Sequence, residues 1–306
     1  MRARILKSIN NIYTSECLED GKTYTLRIKG KVLQSVKGEY NPIAVGDIVV
    51  FEPYSPTEGL LTERVERTSD FTRWNVKHEN NQTIACNMDQ TAIVVSVENP
   101  PFRPRFLDRA ICSVHGAEIL IVVNKIDLEA PEWVFECLEN YEKLGYKVVY
   151  VSAEENDLEE LLPALKGKTT AFVGQSGVGK SSLINALVDA GQRTGEIIDK
   201  YNRGRHTTNY SLYLKGDGYN IIDTPGVREI MVPFEEEEIV RDAFPEFKGI
   251  ECVYEDCMHK GEDGCVVPDM IERGEIDEDR YESYLRILES LEERRPIYMR
   301  KKILAK

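Results

Sequence analysis

The stretch that most limits what this chain can fold into is Gly174-Gln175-Ser176-Gly177-Val178-Gly179-Lys180-Ser181, which fits G-x-x-x-x-G-K-[ST] without departure. Thr170-Ala171-Phe172-Val173 before it reads as a buried strand, and Ser182-Leu183-Ile184-Asn185-Ala186-Leu187 after it as a helix. A strand, a glycine-rich turn and a helix start together point consecutive backbone N–H groups at a phosphate, and the helix dipole adds positive potential. The binding set read here is Gly174 through Ser181 together with Ser182. Lys180 is expected to reach the β- and γ-phosphates, and the Ser181 hydroxyl to hold Mg²⁺.

A phosphate loop of this kind needs a sheet behind it. Near-continuous apolar runs at 92–97, 118–123, 147–151 and 170–173 fit strands buried on both faces of a parallel sheet. Helical stretches lie between them, including 131–144 with Pro131 at a first helical position, so the middle of the chain is α/β. Residues 1–75 read differently, as short alternating strands broken by turns, which suggests a small barrel or sandwich. Beyond residue 229, Glu235 to Glu238 reads as a solvated helix start. Tyr281, Tyr284, Leu285, Leu288 and Leu291 mark an amphipathic helix over 276–295. The expected division is therefore 1–75, 76–230 and 231–306, which suits a chain of 306 residues.

Four further segments refine the chemistry. Asn124-Lys125-Ile126-Asp127 follows an apolar strand, at the edge where an open α/β sheet binds ligands. A carboxylate there accepts from the guanine N1–H and exocyclic amine, a pair that adenine does not offer, so Asp127 predicts guanine selectivity. The backbone at Ser152 and Ala153 is placed to touch the same base. Asp223-Thr224-Pro225-Gly226 predicts Asp223 at Mg²⁺ and the Gly226 amide at the γ-phosphate. In Gly204-Arg205-His206-Thr207-Thr208, either Thr207 or Thr208 can close on Mg²⁺ and γ-phosphate; Thr208 is favoured. Val227 stands where many GTPases carry a water-orienting Gln, so intrinsic turnover is expected to be slow, on the order of 10⁻⁴ to 10⁻² per second. His206 is the internal candidate to assist. Lys180, Thr208 and His206 form the catalytic set.

The order of these pieces is unusual. The guanine-reading motif precedes the phosphate loop, and Asp223 comes last. The chain therefore reads as a circularly permuted GTPase, in which the segment after Gly226 runs directly into the C-terminal region.

Cys252, Cys257, His259 and Cys265 lie within fourteen residues. Three thiolates and an imidazole are a tetrahedral Zn²⁺ set, and with four protein ligands the metal is expected to be structural. The other Cys of the seven are scattered, which suits reduced thiols rather than a disulfide framework.

This ordered set of motifs resembles the bacterial RsgA (YjeQ/YloQ) family of small ribosomal subunit biogenesis GTPases over essentially the whole chain. The resemblance implies an N-terminal OB-fold, a permuted GTPase domain and a C-terminal zinc-binding domain with helices. It also implies GTP/GDP with Mg²⁺, structural Zn²⁺, binding to the small subunit and its rRNA late in maturation, and hydrolysis stimulated by that subunit.

Composition bounds the partners. A net charge of −14 argues against a uniformly basic nucleic-acid sleeve. Local basic stretches, Arg2, Arg4, Lys7, Arg27, Lys29 and Lys31, then Arg294, Arg295, Arg300, Lys301 and Lys302, are the expected RNA contacts. No apolar run spans a bilayer and no secretory signal is read, so a cytoplasmic, monomeric protein without membrane contact is expected. The rival reading is a GTP/GDP-sensing, ribosome- or RNA-binding module with negligible hydrolysis, supported by Val227. A P-loop kinase is disfavoured, since it has no use for a guanine reader and a zinc domain.

Overall fold

The structure, a computed structural model, describes residues 1–29, 39–190, 210–233 and 236–295. The first five strands are β1 (Arg2–Ile9), β2 (Ile12–Cys17), β3 (Thr23–Ile28), β4 (Ile48–Pro53) and β5 (Glu58–Arg64). They pair in the order β1-β2-β3-β5-β4, and β4 returns to β1. The sheet thus closes into a five-stranded barrel, as an OB-fold does, and the sandwich alternative falls. Alternate residues point inward, so Ala3, Ile5, Tyr13, Cys17, Tyr24, Leu26, Val49, Phe51 and Leu61 fill the interior.

Strands β6 (Asp70–Asn75) and β7 (Asn80–Cys86) form a hairpin that pairs with a short β9 (Val114–His115) rather than with the barrel. Phe71 and Ala85 belong to the core under the central sheet, and a division at 75/76 would cut this hairpin.

The central sheet contains β8 (Gln90–Ser96), β10 (Glu118–Asn124), β11 (Lys147–Val151), β12 (Thr169–Gly174), β13 (Leu212–Lys215) and β14 (Asn220–Asp223). Its order is β11-β10-β8-β12-β14-β13, parallel throughout except for β13. Successive residues feed opposite cores. Ile93, Val95, Ile121, Val123 and Val173 pack on the side of α1 (Pro104–Ile111) and α2 (Glu132–Lys143). Ala92, Val94, Leu120, Val122 and Phe172 pack on the side of α3 (Leu161–Leu165) and α4 (Lys180–Ala190). Every residue of β8 and β12 is buried, so neither run shows polar alternation. Pro131 stands one residue ahead of α2, as its N-cap.

The C-terminal unit comprises α5 (Glu237–Asp242), the Cys/His loop, α6 (Val267–Glu272) and α7 (Glu278–Glu292). The amphipathic helix is shorter than expected because Asp277 caps it, accepting from the Arg280 amide. Tyr284, Ile287, Leu288 and Leu291 face a core that also takes in Cys112 from the end of α1. The acidic run is not simply solvated: Glu237 is buried, paired with Lys260 and lying 3.5 Å from Arg295.

One buried ion network joins this unit to the central domain. Arg280 contacts Asp108 at 2.6 Å and Glu246 at 2.7 and 3.1 Å. Its guanidinium lies over the rings of Tyr141 and Phe244, and the Tyr141 hydroxyl donates to Asp108 at 2.7 Å. Burial raises the Asp108 pKa despite the nearby cation. Replacing Arg280 by Met is expected to cost about 3–5 kcal/mol in urea unfolding, because two carboxylates stay buried without their cation. A loss below about 1 kcal/mol would mean that this network is not closed in solution.

Candidate functional site

Because β8, β10, β11, β12 and β14 run parallel, their carboxyl ends meet along one edge. Register aligns Asn124 with Ser96 and Val151, and Asp223 with Phe172, two residues short of Gly174. Segments remote in the chain are thereby neighbours.

The phosphate loop spans the gap between β12 and α4. Gly177 and Gly179 each have φ +89°, in the left-handed region that favours glycine. A Cβ on Gly179 would lie 2.2 Å from Asn124 Nδ2, so a side chain is excluded there by the guanine motif itself. Asn124 fastens the two pieces together. Its Nδ2 donates to the Val178 carbonyl at 2.8 Å, while its Oδ1 accepts from the Ala153 amide at 3.1 Å. Lys125 Nζ donates to the Gly177 carbonyl at 2.8 Å and to the Asn99 carbonyl. Burial lowers the Lys125 pKa, with Asp127 opposing. The Ser152 hydroxyl donates to Asp127 Oδ1 at 2.6 Å, holding that carboxylate at the same edge.

The other flank of the loop is held by the segment after β14. The Ser176 amide donates to the Val227 carbonyl at 3.1 Å, and the Val227 amide to the Gly174 carbonyl at 3.2 Å. The Gln175 side chain donates to the Arg228 carbonyl at 3.4 Å. Thr224 Oγ1 donates to the Phe172 carbonyl at 2.7 Å. Lys180 is buried, 3.4 Å from Asp223 Oδ1 and donating to the Thr224 carbonyl. Ser181 and Ser182 at the start of α4 are exposed. Gly226 packs close to Ser176, where a Cβ would sit 3.3 Å from its Cα. Val227 is a core side chain, packed with Val173 and Ile230.

Asn124, Lys125, Asp127, Ser152, Ala153, the 174–182 stretch, Asp223 and Gly226 are thus brought to one edge. Gly204 to Thr208, with the expected roles of His206, Thr207 and Thr208, lies outside the described residues. Sequence reasoning missed the loop after β8. Its Asn99 carbonyl holds Lys125, and Pro100 would lie 3.5 Å from a Cβ on Gly177. No side-chain pattern could have found it, since what the loop contributes is a backbone carbonyl.

The second cluster also assembles. The donor atoms of Cys252, Cys257, His259 and Cys265 all lie within 4.8 Å of one another. Cys252 Sγ is 3.5 Å from His259 Nδ1 and 4.0 Å from Cys265 Sγ, with Cys265 Sγ 3.7 Å from the same nitrogen. Zn–S bonds of about 2.3 Å and a Zn–N bond of about 2.0–2.1 Å give tetrahedral edges of roughly 3.5–3.8 Å; the Cys252–His259 and Cys265–His259 separations match these and the rest are wider, so the donor set suits a thiolate-binding metal such as zinc. The Phe247 ring and the Tyr281 hydroxyl, which donates to the His259 carbonyl at 2.8 Å, support the loop from below.

The basic residues expected to meet RNA divide. Arg2 and Arg27 are exposed. Arg4 and Lys7 lie over Tyr213 and Tyr210, and Lys29 pairs with Glu52. Arg294 and Arg295 turn onto the protein, towards the Val232 carbonyl and Glu237. Lys31, Arg300, Lys301 and Lys302 lie outside the described residues.

Replacing Asn124 by Ala removes both bonds of its amide, leaving the buried Val178 carbonyl and the half-buried Ala153 amide without that partner. The expected cost is about 1–3 kcal/mol per stranded group, read as a lower thermal midpoint without nucleotide. An unchanged midpoint would show that the two motifs are not tied in solution.

Comparison with known proteins agrees with this geometry. A family model described as RsgA GTPase matches residues 64–233. The small ribosomal subunit biogenesis GTPase RsgA of Borreliella burgdorferi is 39% identical over 295 residues, covering 94% of this chain and 95% of that protein. Its namesake from Chlorobaculum parvum is 42% identical over 270 residues, covering 83% and 86%. The crystal structure of YjeQ from Thermotoga maritima superposes with a TM-score of 0.71 at 31% identity, over 96% of this chain and 99% of that one. YloQ, described as a circularly permuted GTPase, gives 0.70 at 27% identity, over 97% and 96%. With the guanine motif and the phosphate loop bonded to each other in reversed chain order, the chain belongs to the RsgA family of circularly permuted GTPases.

Proposed function

We propose that this protein binds GTP at the carboxyl edge of its central sheet and hydrolyses it to GDP and phosphate. The small ribosomal subunit is proposed to stimulate that hydrolysis during its own late assembly. The observation that carries the reading is the bond from Asn124 to the Val178 carbonyl, which supports taking the guanine reader and the phosphate loop as one site. The named role of the relatives in small-subunit biogenesis supports the choice of partner.

In this reading Asp127 takes the guanine edge, with the Ser152 hydroxyl holding its carboxylate and the Ala153 amide alongside. The amides of 174–182 receive the phosphates, and Lys180 exchanges its present contacts at Asp223 and Thr224 for phosphate oxygens. Mg²⁺ bound with the nucleotide would be held by Ser181, Asp223 and Thr208, and it would offset the charge on the transferred group. The Gly226 amide contacts the γ-phosphate. Val227, being a core side chain, leaves the attacking water to another group, and His206 is proposed for that task.

Zn²⁺ on Cys252, Cys257, His259 and Cys265 is proposed to be structural, since all four positions of a tetrahedron are protein atoms. The exposed barrel residues Arg2 and Arg27 are the proposed rRNA contacts, beside Lys31 and the cluster Arg300, Lys301 and Lys302. Among the described residues no helix is long and apolar enough to cross a membrane. A cytoplasmic monomer with three units completes the proposal, with the first boundary drawn ahead of the β6–β7 hairpin rather than at 75.

Multiple-turnover phosphate release tests the function: GTP, not ATP, should be hydrolysed, slowly alone and many-fold faster with small subunits. No stimulation by subunits would favour a GTP/GDP-sensing module instead. His206→Ala should abolish the stimulated rate while leaving GTP affinity within about twofold; full stimulation in that variant contradicts the role. Metal analysis of reduced protein should find close to one zinc per chain, lost together with C-terminal stability in Cys257→Ser.

A further inference from the structure

The Cys/His loop carries a carboxylate that is not one of its four donors. Glu262 is half-buried and lies between His259 and Cys265 in the chain. Its Oε1 accepts from the Met258 amide at 3.1 Å, and its Oε2 from the Lys260 amide at 2.6 Å. These two amides flank His259. The His259 amide, between them, donates instead to Cys257 Sγ at 3.4 Å. Glu262 also reaches a third donor residue through its backbone, whose carbonyl accepts from the Cys265 amide at 3.0 Å.

His259 has φ +54°, in the left-handed region that a residue with a side chain rarely adopts. A turn through that region gathers neighbouring amides into a concave set of donors, which takes an anion. Here the anion is built into the chain. The Tyr284 and Tyr281 hydroxyls take the carbonyls of the same turn, donating to Met258 at 2.5 Å and to His259 at 2.8 Å. Charge alone argues against a carboxylate at this place. Three thiolates and a divalent metal leave one net negative charge, and Glu262 Oε2 adds another 3.6 Å from the Cys257 sulfur. The loop's own cation, Lys260, is paired with Glu237. What offsets the repulsion is the pair of amide bonds.

We propose that Glu262 is a positioning residue of the metal centre: its carboxylate fixes the turn from Cys257 to Lys260 so that sulfur and imidazole are presented to zinc together. This role rests on the reading of Cys252, Cys257, His259 and Cys265 as a zinc site. Both oxygens of Glu262 are engaged by amides, so it acts through the ligands and is not a fifth one. A turn already held in the ligating shape binds metal more tightly, because only the competent fraction of molecules binds. Repulsion and positioning predict opposite signs. If charge ruled, Glu262→Gln would tighten zinc. If Glu262 positions the turn, the same substitution weakens zinc, because the new NH₂ group faces an amide N–H.

The test uses full-length protein, reduced and stripped of metal, with zinc affinity measured by competition against a chromophoric chelator. Hydrogen exchange at the Met258 and Lys260 amides is followed in the zinc-loaded protein. Glu262→Gln should weaken zinc by about 10–100-fold and speed exchange at both amides. Asp263→Asn, which removes the same charge from the exposed neighbour, should change neither. Glu262→Asp, which keeps the charge but not the reach, should also weaken zinc, and it serves if the Gln variant misfolds. Tighter or unchanged zinc in Glu262→Gln, or lower stability with zinc affinity untouched, overturns the positioning role while the wild type still takes up one zinc. A wild type that takes up no zinc overturns the zinc reading, and this role with it.

Discussion

Everything at the nucleotide edge depends on one side-chain amide. Asn124 joins the Val178 carbonyl of the phosphate loop to the Ala153 amide beyond β11. Three segments from three parts of the chain are thereby fixed relative to one another within hydrogen-bond tolerance. Gly179 must lack a side chain for that amide to fit, and Lys125 adds a second tie through the Gly177 carbonyl. A site divided between recognising a base and cradling phosphates needs such a brace. Without it, the two halves would be placed independently and the energy of reading the base could not position the phosphates.

The brace also explains why chain order is free to change. In a parallel sheet, what matters is which strand ends lie side by side at the carboxyl edge, not the sequence in which they were made. The order β11-β10-β8-β12-β14 supplies those neighbours with the guanine motif first and the phosphate loop later. Permutation leaves the edge intact and alters where the chain goes on leaving it. The segment after Asp223 is bonded to the phosphate loop through Val227, then to β6 through the Met231 carbonyl and the Trp74 amide, then to Arg294 through the Val232 carbonyl. Changes at the nucleotide therefore have a covalent and hydrogen-bonded route into the C-terminal unit. On the other side, β13 pairs with β1 at Lys7 and Leu212, so the barrel is an extension of the same sheet.

Much of this was legible in the sequence, for identifiable reasons. The phosphate loop and Asn124 to Asp127 were readable because their chemistry dictates residue types at fixed spacing. The buried strands showed as unbroken apolar runs because both faces of β8 and β12 are covered. The Cys/His set was readable because few other arrangements use those four residues so close together. What escaped was long-range pairing. Asp70–Asn75 falls in the stretch read as short barrel strands, yet it pairs with β7 and β9 and buries Phe71 beneath the central sheet. Glu237 and Arg294 looked like surface charge because local sequence carries no trace of partners as remote as Lys260 or Val232. Asn99 was missed because it contributes a backbone carbonyl, which no side-chain pattern reveals.

The central claim is that residues 124–127 and 174–181 share one guanosine nucleotide. Titration calorimetry of GDP and of ADP, into wild type and into Asp127→Ala, tests it most directly. The account predicts one GDP per chain, ADP binding at least a hundredfold weaker, and a collapse of that preference in the variant while the phosphates still bind. Equal affinity for the two nucleotides in the wild type, or a preference untouched by the substitution, would contradict it.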